Sequence, residues 1–199
     1  MKKTHLCVRY EDGTVLKGEG VIDEDNIQTS RIEKAYLDPH VNPNQNAIER
    51  IKESDFIIIG PGDLYTSIIP VLLVEGIQKA LKNSKAKILF VMNLMTKAGQ
   101  TTAYKAHDFI KDITLYLERA PDYVFVNNGS IPENILDWYK EHDESPVEND
   151  LQTHQFMGRI VEGDIINRNH VKKNTSDTLT RSILRHDSER LSELLMEIL

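Results

Sequence analysis

The residues able to do chemistry sit in short polar stretches that follow apolar runs. The first is Gly60-Pro61-Gly62-Asp63, continued by Tyr65-Thr66-Ser67, directly after Phe56–Ile59. Backbone N–H groups exposed at a glycine turn and at a helix start suit a phosphate or a carboxylate. Asp63 works against a bare anion and suits a metal ion or a donor-rich group. Asn93, with Thr96 behind it, and Asn127-Asn128 each leave another apolar run. Their amides could converge with the glycine turn and hydrogen-bond a base or a sugar. Arg185 stands just before a closing helix. A cation beside a helix start is unfavourable unless an anion is near, so Arg185 could serve a phosphate group. Each feature has a plainer counterpart: a tight βα turn without ligand, asparagines that only end strands, a solvated arginine.

No nucleophile or acid/base signature accompanies these stretches. G-x-S-x-G, H-E-x-x-H and the Walker A lysine pattern are missing, and Gly18-Glu19-Gly20 lacks the third glycine of a dinucleotide fingerprint. Cys7 is the only cysteine, which excludes intramolecular disulfides and cysteine zinc sites. The seven histidines are scattered, so a histidine metal site requires convergence in space. His107-Asp108 could form an acid/base pair, although two solvated polar side chains on the helix surface are the better reading.

The elements that position these residues follow from the hydrophobic pattern. Phe56–Ile59 has no polar alternation and predicts a strand buried on both faces. Helix follows over about 66–81, then a strand over 86–91, helix over 103–117, a strand over 123–126, and a helix from Pro132 to about Tyr139. Three strand-then-helix units imply a parallel sheet whose polar loops share one edge, where open α/β sheets bind ligands. Upstream, Asp12-Gly13 between β-rich runs predicts a hairpin over residues 5–20. Residues 23–30 read as a loop, Arg31–Leu37 as a strand and Asn44–Lys52 as an amphipathic helix. Residues 141–155 read as a polar loop, 156–161 as a strand, 168–175 as a basic loop near the ligand edge, and 187–199 as an amphipathic helix.

The chain has 199 residues with 40% hydrophobic and 28% charged side chains, enough for one sizeable core and one domain over 1–199. A formal charge of −7 disfavours nucleic acid. No apolar run approaches the roughly 20 residues needed to cross a bilayer. Composition therefore fits a cytoplasmic protein with neither membrane nor nucleic-acid partner.

Gly60-Pro61-Gly62-Asp63-Leu64-Tyr65-Thr66-Ser67-Ile68-Ile69-Pro70, with Leu72-Leu73-Val74 and Gly76-Ile77, closely resembles the signature of the gluconeogenesis factor family. That family is related to the 2-phospho-L-lactate transferases. Asn93-Leu94-Met95-Thr96, Gly99 and Thr101 resemble its second motif, and the Asn127-Asn128 exit and Leu184-Arg185-His186 look like it too. The resemblance implies a Rossmann-like, three-layer α/β fold with a mainly parallel sheet, beside the N-terminal hairpin. It implies a cytoplasmic regulator of carbon metabolism and cell shape that binds a UDP-sugar such as UDP-N-acetylglucosamine. Gly60, Gly62, Tyr65, Thr66, Ser67, Asn93, Thr96 and Arg185 are then the ligand-edge candidates.

The departures bear on chemistry. The family's early glycine-rich turn has no counterpart, so the resemblance spans the later part of the family's length. Gln100, Thr102 and Ala103 stand where the family has Glu, Asp and Gly, Phe109 replaces a histidine, and Asp63 stands where serine is common. Lost carboxylates and a lost histidine favour binding over catalysis. A transferase using magnesium and a nucleotide diphosphate donor is the alternative, with Asp63 as the loop carboxylate to hold the ion. A third possibility is an interaction module, because an incomplete sheet leaves an edge that self-association would cover.

Overall fold

The structure is a computed structural model that describes residues 3–24, 28–168 and 183–199. The expected hairpin forms: β1 (His5–Tyr10) pairs antiparallel with β2 (Val15–Lys17), with Val8 opposite Leu16. The hairpin stops three residues short of the predicted end. Gly18, at φ +105, turns the chain into α1 (Glu19–Glu24), which occupies the start of the stretch expected to be loop. On its other side β1 pairs with β3 (Ile32–Asp38), completing a three-stranded antiparallel sheet. α2 (Gln45–Glu53) follows, capped by the Asn44 side chain accepting from the Asn46 N–H.

The main sheet is parallel in the order β4 (Phe56–Ile59), β5 (Lys87–Val91), β6 (Tyr123–Asn127), β7 (Arg159–Gly163). Strand alternation divides its two faces between two cores. Ile88 and Phe90 of β5, with Val124 and Val126 of β6, face the core shared with the antiparallel sheet. Leu89, Val91 and Phe125 face the other core. The architecture is therefore three-layered and Rossmann-like, as expected, and the fourth strand lies three residues later than the run that predicted it.

Two expectations need correction. β4 is not buried on both faces: among the described residues it forms an edge of the sheet, and Ile58 is 46% exposed. Apolarity records what a strand avoids, not whether a neighbour covers it. The predicted single helix over 66–81 is three pieces: a π-helical turn (Leu64–Ile68), α3 (Ile69–Leu72) and α4 (Ile77–Asn83), bent by 80°. Gly76, at φ +81, begins α4 in a left-handed conformation that opens a break in the helix. Leu64, Tyr65, Ile69, Leu72, Ile77 and Leu81 on these pieces are core residues. Among the described residues no single helix is long and apolar enough to cross a membrane.

α5 (Ala106–Leu117) is amphipathic and begins three residues after the predicted start, since Ala103 takes a left-handed φ of 57°. It is tied to the antiparallel sheet by Tyr116 Oη, which accepts from the Ala35 N–H at 2.8 Å. The opposite face carries α6 (Glu133–Lys140), a short antiparallel pair of β8 (Ile166–Asn167) with β9 (Arg185–His186), and α7 (Ser188–Met196). Asp187 caps α7 by accepting from the N–H groups of Glu189 and Arg190. Of the basic loop expected over 168–175, residues 169–175 lie outside the described residues.

Candidate functional site

Three strand exits meet at one edge of the parallel sheet. After β4, Gly60 adopts φ +85, and the Gly60–Pro61 peptide is cis. A Cβ on Gly60 would lie 3.1 Å from the Val91 carbonyl oxygen, so the backbones of β4 and β5 approach here as only glycine permits. Gly62 is packed against Ser67, where an added Cβ would meet Ser67 Cβ at 3.3 Å. Asp63 begins the π-helical turn with its carbonyl, which accepts from the N–H groups of Ser67 and Ile68. Its carboxylate makes no capping bond.

These residues line a cleft of about 1050 Å³. Its walls include Gly62, Asp63 and Ser67 from the first exit, and Asn93 and Thr96 from the second. Arg185 and His186 come from β9, Glu19 and Asp23 from α1, and Glu144 from the loop after α6. Asn127 and Asn128 line an adjoining hollow of about 240 Å³, and Asn93 belongs to both. Gly60 shapes the turn, while Tyr65 and Thr66 point into protein, 1% and 6% exposed. Tyr65 Oη donates to Asp112 Oδ2 at 2.7 Å.

The polar groups divide by how well they are satisfied. Asn93 Nδ2 donates to the Gly62 carbonyl at 2.9 Å, but its Oδ1 is buried without a partner among the described residues. Such an acceptor is costly unless a donor arrives. Asn127 is spent on structure: its Oδ1 accepts from the N–H groups of Gly129 and Ile165, and its Nδ2 donates to the Gly129 carbonyl. Asn128 is exposed. Thr96 accepts from the Ser145 N–H at 2.9 Å and so fastens the 141–147 loop to the cleft wall. Arg185 is exposed and makes no ion pair among the described residues. His186 donates from Nε2 to the Met92 carbonyl at 3.1 Å; burial lowers its pKa, and this bond opposes the shift.

Charge in the cleft is mainly negative, with Lys97 the central cation. Lys97 Nζ lies 3.9 Å from Glu144 Oε1. Burial pushes the Asp63 carboxyl up; Lys97 opposes the shift and Asp23 adds to it. Burial likewise raises Glu144, against Lys97 and the Ala98 N–H. Lys97 sits inside the second motif at a position that carried no signal, and Glu144 comes from an unpatterned polar stretch. Only the tertiary fold reveals either. Asp63, Glu144 and the Asn93 oxygen are hard donors that fit a magnesium ion's chemistry. Among the described residues, however, the triad of ligating atoms lying within 4.8 Å of one another is elsewhere: His107, Asp150 and His154.

A parallel sheet flanked by helices on both faces, with a cleft at its strand exits, defines a Rossmann-like α/β protein. The chain belongs to the CofD family, whose model, described as 2-phospho-L-lactate transferase CofD, matches residues 1–166. A relative from Thermoanaerobacterium thermosulfurigenes is 36% identical over 197 residues, 98% of this chain and 58% of its own. The gluconeogenesis factor of Bacillus subtilis is 33% identical over 197 residues, again 98% of this chain and 58% of its own. The crystal structure of a UPF0052 family member from Bacillus halodurans superposes with a TM-score of 0.83 at 28% identity, over 98% of this chain and 59% of that one. This chain thus spans 58% of the length of these two curated relatives.

Proposed function

We propose that the chain is a nucleotide-sugar-binding regulator of the gluconeogenesis factor type, serving carbon metabolism and cell shape in the cytoplasm, with a UDP-sugar such as UDP-N-acetylglucosamine in the cleft. The observation that carries this reading is the buried, unpartnered Oδ1 of Asn93 beside the glycine turn. It wants a donor, and a uracil imide N–H or a sugar hydroxyl supplies one. Arg185 gives the diphosphate a cation on the same wall. The cleft volume suits a ligand of that size.

Calorimetric titration with UDP-N-acetylglucosamine, with GDP plus magnesium as comparison, tests this. The expected result is saturable binding of the UDP-sugar, weakened at least about tenfold, or about 1.4 kcal/mol, in Arg185→Ala. No heat from a folded sample would overturn it.

The raised carboxyls of Asp63 and Glu144 favour a second reading, a magnesium-dependent transferase. A divalent ion would restore both charged forms and carry a diphosphate into an otherwise acidic cleft. Asp63→Ala then abolishes magnesium-dependent turnover.

The edge at β4 favours self-association alongside either reading. β7, the opposite edge, carries exposed Arg159 and Glu162, whereas β4 is Phe-Ile-Ile-Ile without a charge. Charged edges resist pairing and bare apolar ones invite it.

A further inference from the structure

We propose that His107, Asp150 and His154 form a binding site for a transition-metal dication of the Zn2+ class, apart from the cleft. Nothing about their sequence spacing announces it: His107 lies in the first turn of α5, while Asp150 precedes and His154 ends a single 3-10 turn (Leu151–His154) more than forty positions later. The fold brings them together. Leu151, 1% exposed, plugs that turn into the core and sets it against the start of α5.

The geometry centres on one carboxylate. Asp150 Oδ1 accepts from the His107 backbone N–H at 3.0 Å, which fixes the group. Its Oδ2 is thereby presented to both imidazoles, 2.5 Å from His107 Nδ1 and 3.6 Å from His154 Nδ1. The rings stack with centroids 3.9 Å apart and planes 5° from parallel, so one ring must turn about its side-chain bonds before both nitrogens face a single ion. One ligating atom from each residue lies within 4.8 Å of the others. Two imidazole nitrogens and one carboxylate oxygen are a donor set that borderline dications prefer to magnesium or calcium. His154, with its side chain 45% exposed, leaves room for water at a fourth position.

The surroundings support ligation. A metal-bound histidine usually offers its second ring nitrogen to a carboxylate, which sets the tautomer. His107 Nε2 lies 3.5 Å from Asp108 Oδ1, and Asp108 is held by Arg31. His154 Nδ1 also lies 2.9 Å from the Asp150 carbonyl and 3.0 Å from Thr153 Oγ1. Zn–N and Zn–O bonds of about 2.0–2.2 Å require the close His107–Asp150 contact to open by roughly 1 Å, within reach of a side-chain rotation.

The test is calorimetric titration of the full chain with ZnCl2 after chelator treatment, alongside His154→Ala and His107→Ala. Wild type should take up one tightly bound equivalent and melt at a higher temperature when it does. His154→Ala, at a half-exposed position, should keep its metal-free melting temperature, bind Zn2+ at least tenfold more weakly and lose the thermal gain. If His107→Ala fails to fold, His154→Ala decides alone. Co2+ in place of Zn2+ should give the visible bands of a tetrahedral site in wild type only. Unchanged stoichiometry and affinity in His154→Ala, or no Zn2+ uptake by wild type, would overturn the proposal. UDP-sugar binding should be indifferent to His154→Ala.

Discussion

Asn93 donates its amide to the Gly62 carbonyl at 2.9 Å, tying the exit of β5 to the turn after β4. The same side chain therefore shapes the glycine turn and leaves a bare acceptor in the cleft. Asn93→Ala should cost about 1 kcal/mol of stability, the worth of one hydrogen bond. It should cost nucleotide-sugar affinity more steeply, at least about tenfold. Denaturant midpoints and calorimetry on the same samples separate the two effects, and equal binding by both proteins would remove Asn93 from the site.

Asp63 carries a pH signature of definite sign. A carboxyl whose folded pKa lies above its unfolded value holds its proton more tightly when folded. Its contribution to stability falls as pH rises between the two values, and the penalty is complete above the folded one. Asp63→Asn should be more stable than the parent at neutral pH, with the gap closing as pH drops below the ordinary carboxylate range. Urea midpoints over a pH series measure this. Asp122 and Asp150 are shifted downward: burial, the largest single influence, would raise them, but it is outweighed by the Ile88 N–H acting together with Lys87 and Arg119 at Asp122, and by the His107 N–H acting together with the His107 and His154 rings at Asp150. They make the whole chain acid-sensitive, so the difference between variant and parent is the quantity to read.

Tyr65 is a core residue by geometry. It and Tyr104 both donate to Asp112 Oδ2, at 2.7 and 2.9 Å. Burial raises the Asp112 carboxyl, and the two tyrosine bonds oppose that shift. Tyr65→Phe leaves the buried carboxyl one donor short and should destabilise by about 1–3 kcal/mol. Ligand affinity measured by calorimetry should stay within twofold of the parent; a large loss would return Tyr65 to the binding site.

Ile58 reports on the open edge. If β4 pairs with a second copy, size exclusion with light scattering should give a dimer for the parent. Ile58→Lys should give a monomer, since a charge on an edge strand discourages pairing. A parent that is monomeric at every concentration would rule out self-association there.

Much of this protein was legible in its residues. Unbroken apolar runs placed the strands of the parallel sheet, and Asp12-Gly13 placed the hairpin, because such patterns are local consequences of burial and turn geometry. The glycine turn, Asn93 and Arg185 stood out for the same reason: each breaks a pattern where a strand or helix ends. Other features depended on chain segments far apart in sequence. That β4 is an edge depends on which strand lies beside it. That Asn93 keeps an empty acceptor while Asn127 spends its own depends on which backbone groups arrive next to each. Lys97 and Glu144 carry no local signal, and although His107 drew notice beside Asp108, nothing local joins it to Asp150 and His154. Their chemistry exists only because packing of the core brings separate loops within a few ångströms, where burial and charge act on them together.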